Sequence, residues 1–310
     1  MKKIVVTGAA GFVGKSIVLY LRGRGYEVIP TVRKQDKFFS DAIVWDITKK
    51  YGSGAIAGID AVVHCAAYVD DWEVSQKIYN TNVNGTQNVL EAFPNVKCFI
   101  YISSASVYSS TNKEQIINED SPVGEGLFNL YSLTKLQGEQ IVKNNKHVSE
   151  RVILRPHIIY GPGDTTIAPR LKRSIRFGRM IAVGDGQNKL SLTHINNLSQ
   201  AVELVLKNKK KQVGYNVYNI TDEMTGTAAD VLEVFMVKNN IQGSLFFIPR
   251  RVAVVISWML ERVYRWARMK TPPLITRYVV DQVAGDHILN IQKAKKELGY
   301  TPKENFRNNM

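Results

Sequence analysis

Short apolar runs alternate with helical patterns along the first half of the chain. The first run, Ile4, Val5 and Val6, is β-branched and apolar at every position, as in a strand buried on both faces. Residues 16–21 then follow a helical pattern. Further strand-like runs lie at residues 27–32, 43–45, 61–65 and 99–103, with a helical pattern over 82–92. This alternation predicts an α/β fold with a parallel, doubly wound sheet.

Three glycines separate the first strand from the first helix. Gly8, Gly11 and Gly14 allow a sharp turn, a close approach of backbone to a pyrophosphate, and tight packing of the helix on the strand. The free N–H groups of the helix N-terminus attract the anion. The position of this triplet favours a dinucleotide-binding turn over an ordinary turn.

The end of the second strand bears on the choice of dinucleotide. An NAD-type site places an acidic residue there to bind the ribose hydroxyls, whereas this chain reads Thr31, Val32, Arg33. Without a carboxylate a 2′-phosphate is not repelled, and a guanidinium can bind it through two hydrogen bonds. We therefore expect NADP, with NAD as the alternative. A surface arginine at a strand end is the simpler interpretation of Arg33.

Candidate catalytic side chains follow the fifth strand. Tyr131 and Lys135 share one face of a predicted helix that runs to Val142, because they are four residues apart. An ammonium beside a phenol lowers the phenol's pKa from about 10, which suits a general acid or base. Ser104, at the carboxyl end of the strand, can hydrogen-bond the reacting oxygen. Taken singly, these residues are more typical of a core tyrosine, a surface lysine and a helix-capping serine. Their combination, in this order after a dinucleotide-binding turn, favours the catalytic interpretation.

Other strand ends supply residues that could contact a dinucleotide. Asp46, after the third strand, can accept a hydrogen bond from an adenine amino group, or can cap a helix. Ala66 and Ala67, after the fourth strand, are small enough for backbone to lie along the cofactor. His64 is expected to be a packed core histidine.

The order of these motifs resembles the extended short-chain dehydrogenase/reductase superfamily over essentially the whole chain. The matching stretches are Thr7-Gly8-Ala9-Ala10-Gly11-Phe12-Val13-Gly14, Asp46-Ile47, His64-Cys65-Ala66-Ala67, Asn82-Val83-Asn84-Gly85-Thr86, Ser103-Ser104-Ala105-Ser106-Val107-Tyr108, Tyr131-Ser132-Leu133-Thr134-Lys135 and Arg155-Pro156-His157-Ile158-Ile159-Tyr160-Gly161-Pro162-Gly163.

The resemblance implies a role for each matching position. Tyr131 would exchange the proton, Ser104 would bind the substrate oxygen, and Lys135 would hold the nicotinamide ribose as well as tune Tyr131. Choosing Ser104 over its serine neighbours depends on family spacing, four residues before Tyr108. The implied cofactor-binding residues are Gly8, Gly11, Phe12, Val13, Gly14, Arg33, Asp46, Ile47, Ala66, Ala67, Asn82, Lys135, Pro156 and His157.

The resemblance also narrows the reaction. Members similar to sugar-nucleotide dehydratases carry an Asp-Glu pair directly after the serine, where this chain has Ala105 and Ser106, so dehydration is not expected. The second half resembles the 3β-hydroxysteroid dehydrogenase-like branch, which implies a secondary alcohol or ketone on an apolar substrate. The stretches that carry this likeness are Gly184-Asp185-Gly186, Leu192-Thr193-His194-Ile195-Asn196-Asn197-Leu198, Tyr218-Asn219-Ile220-Thr221-Asp222, Pro272-Pro273-Leu274-Ile275-Thr276-Arg277 and Lys293-Ala294-Lys295-Lys296-Glu297-Leu298-Gly299-Tyr300-Thr301-Pro302.

The implied organisation is a Rossmann domain followed by a smaller one. We place the dinucleotide-binding domain at residues 1–160, with 191–206 returning to it, and an α/β substrate-binding domain at 161–310. The resemblance further implies a homodimer formed through the helices near Asn82 and Tyr131.

Composition adds further expectations. The 310 residues are 45% apolar, which fits a globular chain, and carry a net charge of +14. The cations are scattered and no nucleic-acid-binding signature is present, so no nucleic-acid partner is expected. Cys65 and Cys98 have neither disulfide nor metal spacing. They indicate reduced thiols, no bound metal and, with residues 1–13 interpreted as strand and loop instead of a signal peptide, a cytoplasmic protein.

Residues 250–270 form the most unusual segment of the second half. Residues 252–260 are largely apolar but too few to span a bilayer, and arginines are interspersed with Trp258, Tyr264 and Trp266. A basic amphipathic helix with tryptophans can lie on a membrane surface or cover an apolar substrate. A helix packed on the smaller domain is the simpler interpretation.

Three functions follow from these patterns. The leading one is an NADP-dependent oxidoreductase acting on a small-molecule ketone or secondary alcohol of steroid-like or alkyl type. The second is an NAD-dependent sugar-nucleotide 4-epimerase that uses the same Tyr131, Lys135 and Ser104. The third is a protein that senses dinucleotide without chemistry, which the presence of both tyrosine and lysine disfavours.

Overall fold

A computed structural model describes residues 2–52, 56–70, 72, 75–109, 116–127, 129–176, 178–208, 213–224, 226–269 and 271–309. The strands, in chain order, are β1 (Lys3–Thr7), β2 (Glu27–Val32), β3 (Ile43–Val44), β4 (Ala61–His64), β5 (Cys98–Ile102), β6 (Glu150–Pro156), β7 (Ile159–Tyr160), β8 (Ile175–Arg176), β9 (Arg179–Val183), β10 (Lys189–Leu190), β11 (Thr193–His194), β12 (Gly214–Ile220), β13 (Gly226–Thr227) and β14 (Ser244–Ile248).

The helices connect and cover these strands. In chain order they are α1 (Phe12–Gly23), α2 (Gln76–Tyr79), α3 (Gly85–Ala92), α4 (Leu130–Asn144), α5 (Ile167–Arg173), α6 (Ile195–Lys207), α7 (Ala228–Lys238), α8 (Arg250–Trp266), α9 (Arg277–Val283), α10 (Gln292–Leu298) and α11 (Phe306–Asn309). A π-helical turn, Asn80–Asn84, joins α2 to α3, and a 3₁₀ turn, Ala105–Val107, follows β5.

Seven parallel strands form the main sheet, in the order β12-β6-β5-β4-β1-β2-β3. Strand order reverses at β1, which pairs with β2 on one side and β4 on the other. Ligands of doubly wound sheets bind at this reversal, beyond the carboxyl ends of the strands. The predicted α/β Rossmann fold is confirmed, and it places the glycine turn at that point.

Side chains of β1 alternate between two cores. Ile4 and Val6 pack with α1, α6 and α10 on one face of the sheet, whereas Val5 packs with α3 and α4 on the other. This alternation follows from the two-residue period of a strand. Because both faces are covered, the continuous apolar run of the sequence is buried throughout.

Elements beyond residue 160 contribute to both parts of the structure. Helix α6 packs on α1, and β12 is the edge strand of the main sheet. Smaller sheets are formed by β14-β9-β8, by β10 with β13 and by β11 with β7. The division at residue 160, with 191–206 returning, stays a prediction.

The structure also describes the state of the two cysteines and the apolar character of the helices. Cys65 and Cys98 are free thiols, the latter buried in the sheet. Within the described ranges, none of the helices combines the length and the apolar character needed to cross a bilayer.

Candidate active site

The glycine turn is shaped by steric constraints that the structure makes explicit. Gly8 has a φ of +70°, and a Cβ there would lie 2.7 Å from the Cα of Ala66. A Cβ on Gly14 would lie 2.3 Å from the carbonyl oxygen of Gly8. Helix α1 begins directly after Gly11 with no side-chain cap, so its first N–H groups face the turn. This geometry fits a pyrophosphate.

The carboxyl end of β4 closes the other side of the turn. The N–H of Ala66 donates to Thr7 Oγ1 at 3.2 Å, while Ala67 is half-buried. His64 lies between Thr7 and Thr86 hydroxyls, at 2.6 and 3.1 Å from its ring nitrogens. Burial lowers the pKa of His64 to about 3, with a smaller effect from the nearby Lys135 charge. His64 is therefore a neutral core residue.

Arg33 and Asp46 lie near each other at the ends of β2 and β3. Arg33 is exposed, and its charge contributes to the net lowering of the Asp46 pKa. Burial opposes that lowering, and the two hydrogen bonds from Thr48 to Asp46 Oδ1 outweigh it. Asp46 begins a turn instead of capping a helix. Ile47 is buried, with its side chain against Gly85.

Asn82 connects three segments around the site. Its Oδ1 accepts from the N–H of Tyr68 at 2.7 Å, and its Nδ2 donates to the carbonyl of Tyr68 and to Thr134 Oγ1. The side chain is buried in the π-helical turn. Asn82 therefore fixes the loop after β4 to α4, the helix that carries the predicted catalytic pair.

Tyr131 and Ser104 are brought together by α4 and the end of β5. Asn129 caps α4 by accepting from the N–H of Ser132 at 2.8 Å, and Tyr131 lies in the first turn. The residue is half-buried and its hydroxyl is enclosed. Burial raises the pKa of Tyr131 to about 12, against a smaller lowering by its hydrogen bond with Ser104. The phenol is therefore protonated at neutral pH.

Lys135 lies one turn further along α4, and its ammonium points into the sheet. Its Nζ donates to the carbonyl of Ile102 at 2.5 Å and lies 4.2 Å from the centre of the Tyr101 ring. Burial lowers the pKa of Lys135 to about 8, while Glu139 and Cys65 act in the opposite direction.

The sequence-based prediction that Lys135 lowers the pKa of Tyr131 is wrong. The amine is engaged by Ile102 and Tyr101, and the change in the Tyr131 pKa comes from burial and from Ser104. Sharing a helix face is not sufficient, because the Lys135 ammonium is held by the Ile102 carbonyl and the Tyr101 ring of β5.

A buried ion pair next to this site was missed by sequence reasoning. Glu139 accepts two hydrogen bonds from Arg155, at 3.0 and 2.7 Å, and one from Ser103 Oγ. Arg155 also lies 4.8 Å from the centre of the Tyr108 ring. Glu139 follows Lys135 by four residues, so the same helical spacing that linked Tyr131 to Lys135 would have found it.

The three candidate serines have different surroundings. Ser103 donates to Glu139, and Ser104 Oγ accepts from the N–H of Ser106 at 3.1 Å in addition to its bond with Tyr131. Ser106 is buried, and its Oγ lacks a partner among the described residues. Only the tertiary structure separates these roles.

Pro156 and His157 continue β6 toward the smaller sheets. His157 is buried, and its Nδ1 lies 2.7 Å from the carbonyl of Ser191, which fixes that nitrogen as the donor. Burial and the neighbouring His287 lower the pKa of His157 to about 3. The next residue, Ile158, has a φ of +40°, which is strained for a β-branched side chain.

The motif around His194 and Asn197 is structural in its contacts. Asn197 Nδ2 donates to Asp222 at 2.7 Å and to the carbonyl of Glu304, and the N–H of His194 also donates to Asp222. Burial raises the pKa of Asp222 to about 6. These bonds join α6 to the end of β12.

A small cavity of about 10 Å³ opens beside the serines. It lies between the 3₁₀ turn, the start of α4 and α9, so residues from both halves of the chain enclose it. Burial raises the pKa of Asp281, one of the residues on the α9 side. The lining residues are Ser106, Tyr108, Gly126, Leu127, Ser132, Tyr278, Asp281 and Gln282.

Comparison with known proteins identifies the family of this chain. The model of the NAD dependent epimerase/dehydratase family matches residues 4–221. A 2-alkyl-3-oxoalkanoate reductase of Shewanella oneidensis is 28% identical over 96% of this chain and 81% of its own. A 3-beta-hydroxysteroid dehydrogenase of Mycolicibacterium neoaurum is 26% identical over 97% and 87%.

Epimerases are also similar to this chain. An N-acetyl-alpha-D-glucosaminyl-diphospho-ditrans,octacis-undecaprenol 4-epimerase of Escherichia coli O157:H7 is 32% identical over 71% of this chain and 67% of its own. The structure of UDP-glucuronic acid 4-epimerase from Bacillus cereus in complex with NAD superposes with a TM-score of 0.75, at 24% identity, over 99% of this chain and 93% of that one. At this level of identity, the similarity to the Bacillus cereus structure shows a shared fold alone.

Proposed function

The chain belongs to the NAD dependent epimerase/dehydratase family and is an NAD(P)-dependent enzyme of the extended short-chain dehydrogenase/reductase type. From that premise we propose that it is an oxidoreductase that interconverts a ketone and a secondary alcohol on a largely apolar substrate, with NADP as its dinucleotide. The observation that carries the proposal is the hydrogen-bonded pair Tyr131 and Ser104, enclosed at the carboxyl end of β5 above a buried lysine.

The residues around the glycine turn fit a dinucleotide. Gly8 and Gly14 leave no space for a Cβ, so the turn is built for close backbone approach, and the start of α1 offers N–H donors to a pyrophosphate. With the pyrophosphate bound at this turn, the nicotinamide of the dinucleotide would supply or accept the hydride. In this proposal Lys135 holds the adjoining ribose.

NADP is favoured by the charge at the end of β2. Arg33 is exposed directly after β2, and its charge contributes to the lowering of the Asp46 pKa. In this proposal its guanidinium binds the 2′-phosphate. The phosphate would gain a charge-assisted, two-point contact. An NAD-type site would have a carboxylate there.

Tyr131 is the proposed proton donor for reduction. Because its pKa is raised to about 12, the phenol keeps its proton at neutral pH. It can deliver this proton to the oxygen of a carbonyl group whose carbon receives the hydride. Ser104 would hydrogen-bond the same oxygen and orient it. Oxidation of the alcohol would pass the proton back to the phenolate.

The substrate class is inferred from the relatives. The reductase and steroid dehydrogenase relatives are named for ketone or alcohol groups on apolar skeletons. The small cavity has room for about one water molecule, and the polar side chains of Ser106 and Gln282 are among those that line it. We propose that an apolar ketone binds against α9 with its polar end at these side chains.

A 4-epimerase is the second candidate, favoured by the relative that acts on a polyprenyl-diphosphate sugar and is 32% identical. It would use the same Tyr131 and Ser104 but return the hydride to the opposite face of a ketosugar. Such an enzyme turns over with no net consumption of dinucleotide.

The deciding experiment pairs a substrate screen with Tyr131→Phe. We expect consumption of NADPH with 2-alkyl-3-oxo acids or ketosteroids, and a loss of about 10²–10⁴-fold in kcat in the variant, because a positioned acid is removed. Sugar interconversion without dinucleotide consumption would support the epimerase instead. Unchanged turnover in the variant would remove Tyr131 from the mechanism.

Dinucleotide choice is tested separately with Arg33→Gln. The variant should bind NADPH about tenfold more weakly and NADH equally well, because only the 2′-phosphate contact is lost. Arg24→Gln is the matched control, since Arg24 is an exposed arginine at the C-terminal end of α1, away from the glycine turn. Equal weakening for both dinucleotides would contradict the assignment of Arg33.

A homodimer is part of the proposal. The outer faces of α3 and α4 are its candidate interface, and Leu133 on α4 is 41% exposed. Leu133→Glu should convert a dimer to a monomer in sedimentation velocity. A wild-type monomer would refute this part.

A further inference from the structure

Helix α8 has its apolar side facing outward. Ile256, Leu260 and Tyr264 of this helix are half-buried. The buried residues of α8 are Ala253, Ser257 and Glu261, with exposures of 0%, 0% and 8%. They recur every four residues and form a narrow inner stripe of small or polar side chains. Ordinary surface helices bury their apolar stripe, so α8 reverses the usual arrangement.

The opposite side of α8 is a continuous apolar stripe. Its members recur at three- or four-residue spacing and are each about half exposed or more, which is far from the burial expected of their type. They are Val252 at 48%, Val255 at 53%, Met259 at 55%, Val263 at 57% and Trp266 at 87%.

Arginines line one flank of this stripe. Arg251, Arg262 and Arg265 lie on one side of the helix by their spacing of eleven and three residues. Arg262 lies 4.6 Å from the Trp258 ring, and Arg265 lies 4.4 Å from the Trp72 ring, so both guanidinium groups are positioned by stacking.

The one acidic residue of 250–270 is not on the outer surface. Glu261 is buried and accepts from the N–H and Nε of Arg277, at 2.7 and 2.8 Å. The outer surface of α8 is therefore apolar and cationic without an acidic side chain. Next to it a cavity of about 240 Å³ is lined by Trp258, Glu261, Arg262, Arg265 and Arg277. Because Arg277 is paired with Glu261, the groups that this cavity offers to an anion are the guanidinium groups of Arg262 and Arg265.

We propose that α8 binds the surface of an anionic phospholipid membrane. The apolar stripe would enter the acyl boundary, the tryptophans would lie at headgroup depth, and the arginine flank with its cavity would contact lipid phosphates. A second copy of the chain fits less well, because a two-fold contact through α8 would place the arginine flanks of both copies at one interface.

The position of α8 connects this surface to the candidate active site. Helix α8 packs on α9, which provides Tyr278 and Gln282 to the cavity beside the serines. Trp72, in the loop after β4, donates from its indole to the carbonyl of Met269 at 3.1 Å. Membrane binding would therefore bring an apolar substrate to the site from the lipid phase. This purpose depends on the proposed function, whereas the binding itself does not.

The test is sedimentation of the full chain with vesicles, without dinucleotide or substrate. Vesicles of phosphatidylcholine alone are compared with an equal mixture of phosphatidylcholine and phosphatidylglycerol. We expect binding to the mixed vesicles and about tenfold less to phosphatidylcholine, weakening as salt rises. No binding to mixed vesicles, or equal binding to both, overturns the proposal.

Two variants locate the surface. The first is the triple variant Val255→Asn, Met259→Asn and Trp266→Asn, which should bind about tenfold more weakly because less apolar area enters the membrane. The second is the double variant Arg251→Gln and Arg262→Gln, which should bind about tenfold more weakly because two positive charges are lost. Val237→Asn on α7, 75% exposed, and the pair Lys172→Gln with Arg173→Gln on α5 are the matched controls. If both α8 variants bind the mixed vesicles as tightly as the wild type does, the proposal is overturned.

The second-copy alternative has its own signature. A wild-type chain that stays in the supernatant, and whose dimer is lost in the triple asparagine variant, would assign the stripe to self-association and refute membrane binding. A chain that binds vesicles but reduces no ketone would refute the proposed function and leave the membrane surface intact.

Discussion

Helices α4 and α8 both break the rule that helices bury apolar residues and expose polar ones, but in opposite directions. Helix α4 buries Lys135 and Glu139, at 3% and 1% exposure, whereas α8 exposes Val255 and Met259 by half. The buried charges have partners. Glu139 accepts hydrogen bonds from Arg155, and Lys135 donates to the Ile102 carbonyl and lies over the Tyr101 ring. The exposed apolar stripe has none within the described chain.

The two exceptions have different physical consequences. A buried charge is stable only with partners, so its presence in α4 marks a polar network that determines one geometry. An exposed apolar stripe costs the folded chain little but exposes surface that another phase or molecule can cover. The first exception indicates chemistry inside the fold and the second indicates an interaction outside it.

The largest expected effect concerns the ion pair of α4. Glu139→Leu should lower the free energy of unfolding by about 3–5 kcal/mol, because Arg155 is left as an unpaired buried charge. Urea unfolding measures it. Glu91→Leu on α3 is the control, since its pair with Lys50 is exposed and should contribute about 1 kcal/mol or less. Similar losses in both variants would contradict the contrast.

A steric change on α4 should come next. A Cβ on Gly138 would lie 2.3 Å from the Tyr101 hydroxyl, so Gly138→Ala should destabilise by about 2–3 kcal/mol despite the better helix propensity of alanine. Gly23→Ala at the end of α1, where a Cβ meets nothing within 4 Å, is the matched control and should be neutral or stabilising. Thermal unfolding of both variants decides this.

Lys135 predicts a specific pH dependence. Its folded pKa of about 8 lies below the ordinary lysine value of about 10.4, so the unfolded chain holds more protons between these values. Stability from this group should therefore rise with pH from about 8 to 10, by on the order of 1–2 kcal/mol. The measurement is urea unfolding at several pH values, with Lys135→Met as reference. A parallel pH profile in the variant would show that Lys135 does not contribute.

The smallest effect is expected on the outer side of α8. Val255→Asn should change the free energy of unfolding by about 0.5 kcal/mol or less, because the side chain is exposed and the two residues have similar helix propensities. Ala253→Leu, on the inner stripe, should cost about 1–3 kcal/mol through overpacking. If Val255→Asn were the more damaging change, the outer stripe would be part of the core.

Local signals predicted the first half of the fold well. The strand at residues 27–32 has the predicted bounds, and the helix predicted over 82–92 is longer, because Ser75 caps an earlier start that the π-helical turn continues. The candidate pair Tyr131 and Ser104 also follows from spacing and strand ends. The electrostatics did not follow, because the direction of the Lys135 side chain depends on the Ile102 carbonyl of a neighbouring strand.

Residues close together in the chain were enough to predict the α/β class and the glycine turn, and to name Tyr131 and Lys135 as candidate reacting groups. Only the tertiary structure decided which charges of α4 are paired, which serine meets Tyr131 and which side of α8 faces outward. These features depend on segments far apart in the sequence, such as Glu139 with Arg155 and Glu261 with Arg277. Hydrophobic periodicity indicates that a helix has two sides, but packing decides which one is buried.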